Sequence, residues 1–375
     1  MKMKKWIAGV ALGSMMVLAG CGGGGGSTAG STADEGSAAA EANADALQVG
    51  IIQLADHVAL DRARDGFEAG LEEAGYKLGE DVVIEFQNAQ GDQSNLDTIT
   101  KQFASDKKDL VCTIATQAAV QMKSASSEIP IVGTAITDYE AAKLVESNDK
   151  PGGNLTGTSD MNPIKDQVAL MKKLVPEIKT AGIIYSSAEE NSRIQADMFK
   201  QECEALGIAV EEMTISNVNE IQQAATSLIG ENVQAIYVPT DNMLASAITT
   251  LTGITNEKKI PVFTGEVGMM SGGGLATVSV DYFELGKQTG AMAAKILKGE
   301  ATPDSMPIEM PEVTTTAINK ATVEALGIEV PEDLTEFVED YSAEKITAGY
   351  DQSQNEGVTP TPSFCLFIPK IIICS

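Results

Sequence analysis

The 375-residue chain holds a single histidine, His57, and a single tryptophan, Trp6, and its five cysteines are scattered as Cys21, Cys112, Cys203, Cys365 and Cys374. With no Cys-x-x-Cys and no histidine cluster, carboxylates alone would have to complete a zinc site, and no disulfide framework is indicated. Cys112 lies in an apolar strand-like run and Cys203 in a helical stretch, where both read as small buried residues. His57 has no activated nucleophile in company, and no Gly-x-Ser-x-Gly segment occurs, so hydrolytic chemistry lacks its parts. Ser271-Gly272-Gly273-Gly274 lacks the Gly-Lys-Ser/Thr of a phosphate loop and reads as a turn before a strand over 275–280. Basic residues are also few: 26 Lys and Arg face 53 Asp and Glu, a formal net charge of −27. Nucleic acids and anionic membrane surfaces are therefore excluded as partners, and the acidity serves solubility.

What is present at the amino end is a basic start (Lys2, Lys4, Lys5), an apolar run from Trp6 to Leu18, and Leu18-Ala19-Gly20-Cys21. That is the layout of a secretory signal, and the run is too short to span a bilayer. The tetrapeptide resembles the bacterial lipobox. The resemblance implies that 1–20 are a signal peptide removed on export, and that Cys21 carries an acyl lipid, palmitate among its chains, anchoring the protein outside the cell membrane. Residues 21–46, which include Gly22 to Gly26, have almost nothing to bury and read as a disordered tether. As a random coil it spans roughly 25–30 Å. Trp6 leaves with the signal, so no indole remains to stack on a sugar ring. Residues 341–375 read as a disordered tail. Within it 364–374 is abruptly apolar, too short to span and interrupted by Pro369 and Lys370, as a translated gene-end artefact would be.

The intervening region of about 300 residues is more than one core usually serves. It alternates apolar strand-like runs with amphipathic helices: strand 47–52, helix 60–74, strand 82–86, helix 95–105, strand 110–114, helix 118–126 and strand 129–133. The pattern restarts where Gly50-Ile51-Ile52 recurs as Gly182-Ile183-Ile184. Helix 192–206, strand 209–213, helix 220–229, strand 235–238, helix 243–252 and strand 260–263 follow, and Gly75 and Gly207 each close a helix. Continuous apolar strands separated by helices predict parallel sheets covered on both faces, here as two like-built lobes around a cleft.

In a doubly wound sheet ligands bind beyond the carboxyl ends of the strands, where helix N-termini point unpaired N–H groups into the crevice. The residues there are small and polar: Gln53 and His57 after the first strand, Thr116 after the third, and Thr137 and Asp138 after the fourth. Ser187, Asn191, Ser192, Asp241, Asn242 and Glu266 occupy the matching loops of the second half. Any one of them is explained as well by helix capping. Their recurrence at every strand end favours a site. A zwitterion needs hydroxyl or N–H donors for its carboxylate, which Ser187, Asn191 and Ser192 suit, and a carboxylate for its ammonium, which Asp241 or Glu266 suits.

Several segments, in order and spacing, resemble one family: Gly50-Ile-Ile-Gln-Leu-Ala-Asp-His57, Thr113-Ile-Ala-Thr-Gln-Ala-Ala119, Ile136-Thr-Asp138, Gly157-Thr-Ser-Asp160, Tyr185-Ser-Ser-Ala-Glu-Glu-Asn-Ser192, Val238-Pro-Thr-Asp-Asn242 and Val280-Asp-Tyr-Phe-Glu-Leu-Gly-Lys-Gln-Thr-Gly290. It is the ABC substrate-binding family whose characterised members bind tryptophan, tyrosine or phenylalanine, and the match runs from about residue 48 to 334. The resemblance implies a type I periplasmic-binding-protein fold: α/β, with two doubly wound parallel-sheet lobes joined by a multi-strand hinge near Asp160, Asp281 and Pro307. Lobe 1 is expected over 47–159 plus 282–306 and lobe 2 over 160–281 plus 307–340. Thr116, Thr137 and Asp138 would close over the ligand from lobe 1. The implied function is capture of a small solute, an aromatic amino acid by preference, by a monomeric lipoprotein that delivers it to an ABC permease and its ATPase. No cofactor and no catalysis are expected. The rival readings are a ligand-sensing or adhesin lipoprotein on the same fold and, less well supported, a lobed α/β enzyme.

Overall fold

A computed structural model describes residues 46–311 and 313–342. The expected signal, Cys21, the tether before Ala46 and the apolar stretch 364–374 lie outside the described residues. The first half consists of β1 (Leu47–Gln53), α1 (Val58–Glu73), β2 (Val82–Asn88), α2 (Gln93–Asp106), β3 (Leu110–Ile114), α3 (Thr116–Ala125), β4 (Ile131–Ile136) and β5 (Leu155–Ser159). Its five parallel strands are ordered β2-β1-β3-β4-β5. Strands β3 and β4 are buried along their whole length because helices cover both faces, and their largely apolar sequences follow from that.

The chain then crosses to a second sheet. Its first part runs through α4 (Ile164–Leu174), β6 (Thr180–Ser186), α5 (Glu190–Ala205), β7 (Ala209–Ile215), α6 (Ile221–Gly230) and β8 (Ala235–Val238). It continues with α7 (Asn242–Ser246), α8 (Ile248–Glu257), β9 (Val262–Thr264) and β10 (Ala276–Val280). Helix α9 (Tyr282–Leu297) follows, and then β11 (Thr314–Asn319), α10 (Lys320–Leu326) and β12 (Val338–Glu339). The order is β12-β11-β10-β9-β8-β6-β7, so β7-β6-β8-β9-β10 repeats the arrangement of the first sheet. Two strands are then added, β11 antiparallel to β10.

Packing explains the repeated Gly-Ile-Ile. A Cβ on Gly50 would fall 2.6 Å from the Phe103 ring, and one on Gly182 3.2 Å from Leu228 and Ile236, so a covering helix presses on β1 and β6 at matching points. Gly75 (φ 97°) and Gly207 (φ 69°) end their helices in the left-handed region. One expectation is corrected: the helix over 243–252 breaks at Ala247 into α7 and α8. The turn at Ser271 takes the form of a 3₁₀ segment, Gly268–Gly272, closed by Gly273 at φ 101° ahead of β10.

The described chain passes between the sheets three times, at 160–163, at 281 and beside Glu309, whose backbone bonds Gly157 and Ser159 across the edge of β5. After the second passage α9 returns to lie on α1. The seam is made of glycine: a Cβ on Gly66 would be 2.0 Å from the Phe283 carbonyl oxygen, and one on Gly286 2.2 Å from that of Ala63. Backbone therefore touches backbone. Asp281 fixes the start of α9 by accepting from Phe283 N at 2.8 Å, and Arg62 of α1 reaches it at 3.1 Å.

Candidate functional site

Loops at the carboxyl ends of the two sheets face each other and are in contact. His57 Nε2 and Asn242 Oδ1 are 3.1 Å apart, Gln195 Nε2 donates to Thr137 Oγ1 at 3.2 Å, and Gln117 Nε2 donates to the Ala188 carbonyl at 3.0 Å. Between them lies an enclosed cavity lined by His57 and Leu60 of the first half, Asn191, Asp241 and Glu266 of the second, and Asp160 and Tyr282 from the crossings. It measures about 10 Å³, room for about one water. A crevice of about 990 Å³ opens on the mouth side, past Thr116 and Glu189, and another of about 1130 Å³ lies beside Arg62 and Lys320.

Four buried carboxyls hold this region. Asp241 caps α7 by accepting from Leu244 N (2.8 Å), and also accepts from Ser186 N (2.7 Å) and Ser192 Oγ (2.8 Å). Glu189 accepts from the backbone N–H groups of Asn242 (3.1 Å) and Met243 (3.0 Å) and from the side-chain amide of Asn242 (2.6 Å). Asp160 accepts from Thr137 Oγ1 at 3.0 Å and the Tyr282 hydroxyl at 2.8 Å, joining lobe and crossing. Glu266 accepts from Met269 N at 2.9 Å and from Gly268 N. Among the described residues no group of His, Cys, Asp and Glu could hold a metal ion.

Burial raises all four acids. Glu266 is pushed up to about 7 and Glu189, with Asp241 near it, to about 8; Asp160 and Asp241 rise as well. Burial lowers His57, against the pull of Asn242, Asp61 and Asp56. A carboxyl whose folded value is raised binds its proton more tightly folded than unfolded, so its burial is tolerated below about pH 4 and opposes folding as pH climbs through the folded value. His57 acts in the opposite sense below about pH 6.5, but it is one group against Glu189 and Glu266, whose raised values fall between pH 5.5 and 8. The protein is therefore expected to melt at a higher temperature at pH 5.5 than at pH 8. Thermal denaturation followed by circular dichroism at the two pH values checks this, and a higher melting point at pH 8 would contradict it.

The expected site residues separate into groups. His57, Asn191, Asp241, Asn242 and Glu266 line the enclosed cavity. Thr116 lines the mouth, and Thr137 is buried at the contact with Asp160 and Gln195. The others bond within their own halves of the chain. Gln53 donates to the Ala55 carbonyl and to Asp61, Asp138 accepts from Glu140 N and Ala141 N, exposed Ser187 donates to the Ile215 carbonyl, and Ser192 donates to Asp241. Glu189, Gln195 and Tyr282 were absent from the expected set. Glu189 opens a helix in an Ala-Glu-Glu run, where acids are ordinarily solvated, so its burial gives no sequence signal.

Two lobes of repeated topology, closing strand end to strand end, define a type I periplasmic-binding-protein fold. The sequence matches the family model for ABC transporter substrate binding proteins over residues 48–340, and the chain belongs to that family. Such proteins work outside the cytoplasm, handing a small solute to a membrane permease. The chain is 41% identical over 281 residues to a tyrosine-binding protein of Clostridioides difficile (strain R20291), covering 75% of this chain and 81% of that one. Among solved structures it is similar to an ABC domain from Streptococcus pneumonia in complex with L-Trp, at 39% identity and TM-score 0.75, covering 79% and 99% of the two chains. It is also similar to the ligand-free, open structure of a substrate binding protein with adhesive properties from Clostridium difficile, at 40% identity, TM-score 0.63 and the same coverage.

Proposed function

We propose that the protein captures an aromatic amino acid between its lobes and delivers it to its permease, catalysing nothing. One observation carries this reading. At equal coverage and nearly equal identity, the lobes match the L-Trp complex better than the open, ligand-free structure, 0.75 against 0.63, and they meet over an enclosed polar cavity. In this reading lobe 1 is 47–159 with 282–306, lobe 2 is 160–281 with 307–340, and the passages near Asp160, Asp281 and Pro307 hinge between them. A gap of about 10 Å³ admits no amino acid, so loading requires the lobes to part. Cys21 carries the lipid, the tether lets a monomeric binding domain reach the permease, and Gln53, Asp138, Ser187 and Ser192 support the loops that touch solute.

The test is a thermal-shift screen of residues 22–375 with amino acids, sugars and nucleosides. Binding at a hundredfold excess over Kd contributes about 2.7 kcal/mol and raises the melting temperature by several degrees. L-Tyrosine or L-tryptophan is expected to give that shift. A shift only with sugars or nucleosides would overturn the ligand class. The adhesive properties of the Clostridium difficile neighbour support a second reading, surface presentation. That reading gains if no solute shifts the melting point and the purified domain binds host-cell surfaces.

A further inference from the structure

Two buried acceptor atoms of residues lining the enclosed cavity have no hydrogen-bond partner, Nδ1 of His57 and Oδ1 of Asn191. One carboxylate accounts for both. Glu189 receives the side-chain amide of Asn242 at 2.6 Å and that of Asn191 at 3.3 Å. An amide presents its N–H groups on one side and its oxygen on the other. Asn242 therefore shows Oδ1 to His57, 3.1 Å away. An oxygen there requires His57 to donate from Nε2, which in a neutral imidazole leaves Nδ1 as the lone-pair acceptor. Asn191, whose Nδ2 also donates to the Thr240 carbonyl at 2.8 Å, is left with an unmet oxygen.

The acidic groups that line the same cavity also accept hydrogen bonds. Asp160, Asp241 and Glu266 contribute carboxylates, and no lysine or arginine is among the lining residues. An unmet buried acceptor is unfavourable, and buried polar atoms in native proteins almost always find a partner. The partner missing here donates at least two hydrogens, and beside three acidic side chains a cation suits the place better than a neutral donor.

We propose that Glu189 is the positioning residue of an ammonium subsite: by orienting Asn191 and Asn242 it leaves Asn191 Oδ1 and His57 Nδ1 to accept two N–H bonds from a primary ammonium of the solute. The inference rests on the amino-acid reading above and names the end of the solute that enters the cavity. Size agrees, since room for one water is room for an ammonium group. His57 belongs to the first half and Asn191 to the second, so one ammonium bridges both lobes and favours closure. A solute without that group leaves both acceptors to a trapped water, which brings no positive charge to the three acids.

The experiment is calorimetric titration of residues 22–375 with L-tyrosine and with 3-(4-hydroxyphenyl)propionate, the same skeleton without its ammonium, and with the matching tryptophan pair. Wild type is expected to prefer the amine by about 100-fold, as charge-assisted bonds imply. Glu189→Gln, which leaves one oxygen to accept what two now accept from Asn191, Asn242 and Met243 N, is expected to reduce that preference at least tenfold. A merely structural role for Glu189 would weaken both compounds equally, and an unchanged preference overturns the proposal. Should Glu189→Gln fail to fold by circular dichroism, His57→Leu and Asn191→Leu carry the same ratio, with the same result required. Wild type binding neither amine would instead overturn the amino-acid reading.

Discussion

Gly66→Leu is expected to destabilise the protein by about 3 kcal/mol, the upper end of what overpacking a well-packed contact costs. Even a methyl group at that position would stand 2.0 Å from the Phe283 carbonyl oxygen, and neither helix backbone can give way locally. The helices must separate, although α1 begins beside His57 and α9 begins at the Asp281 crossing. Solute affinity should fall along with stability. Urea denaturation reads the first effect as a lower midpoint with unchanged slope. An unaltered midpoint would show that the α1–α9 contact is looser than its geometry indicates.

Asp241→Ala is expected to be comparably severe, by about 3 kcal/mol, and to abolish solute binding. The carboxylate satisfies two backbone N–H groups and the Ser192 hydroxyl in a fully buried place, so its removal leaves three donors without partners. The loops after β6 and β8 would lose the tie between them, and with it the placement of Asn191 and Asn242. Asp241→Asn, which keeps an acceptor oxygen, should lose less. Paired denaturation and titration of the two variants checks the order, and equal losses in both would contradict it.

The two-lobed architecture was legible because apolar runs and their restart depend on burial alone: every residue of β3, β4 and β8 is buried, and their sequences show it. Strand β5, Leu-Thr-Gly-Thr-Ser, was not legible, because its threonines are buried by hydrogen bonds such as Thr156 Oγ1 to the Met306 carbonyl at 2.7 Å. The glycine seam was hidden for a related reason. Gly66 and Gly70 lie in an otherwise ordinary amphipathic helix, and only the distant Gly286 and Gly290 give them purpose. In the candidate site, position after a strand located the loops well. It could not separate Asp241, which lines the cavity, from Ser187, which bonds Ile215, since both are polar residues in strand-end loops.

Most direct of all is a crystal structure of the protein grown with L-tyrosine or L-tryptophan. The expected result is density for the amino acid between the lobes, its ammonium within hydrogen-bonding distance of His57 and Asn191. Density confined to the crevice beside Arg62 and Lys320, with the cavity at His57 and Asn191 still water-sized, would contradict capture in that cavity.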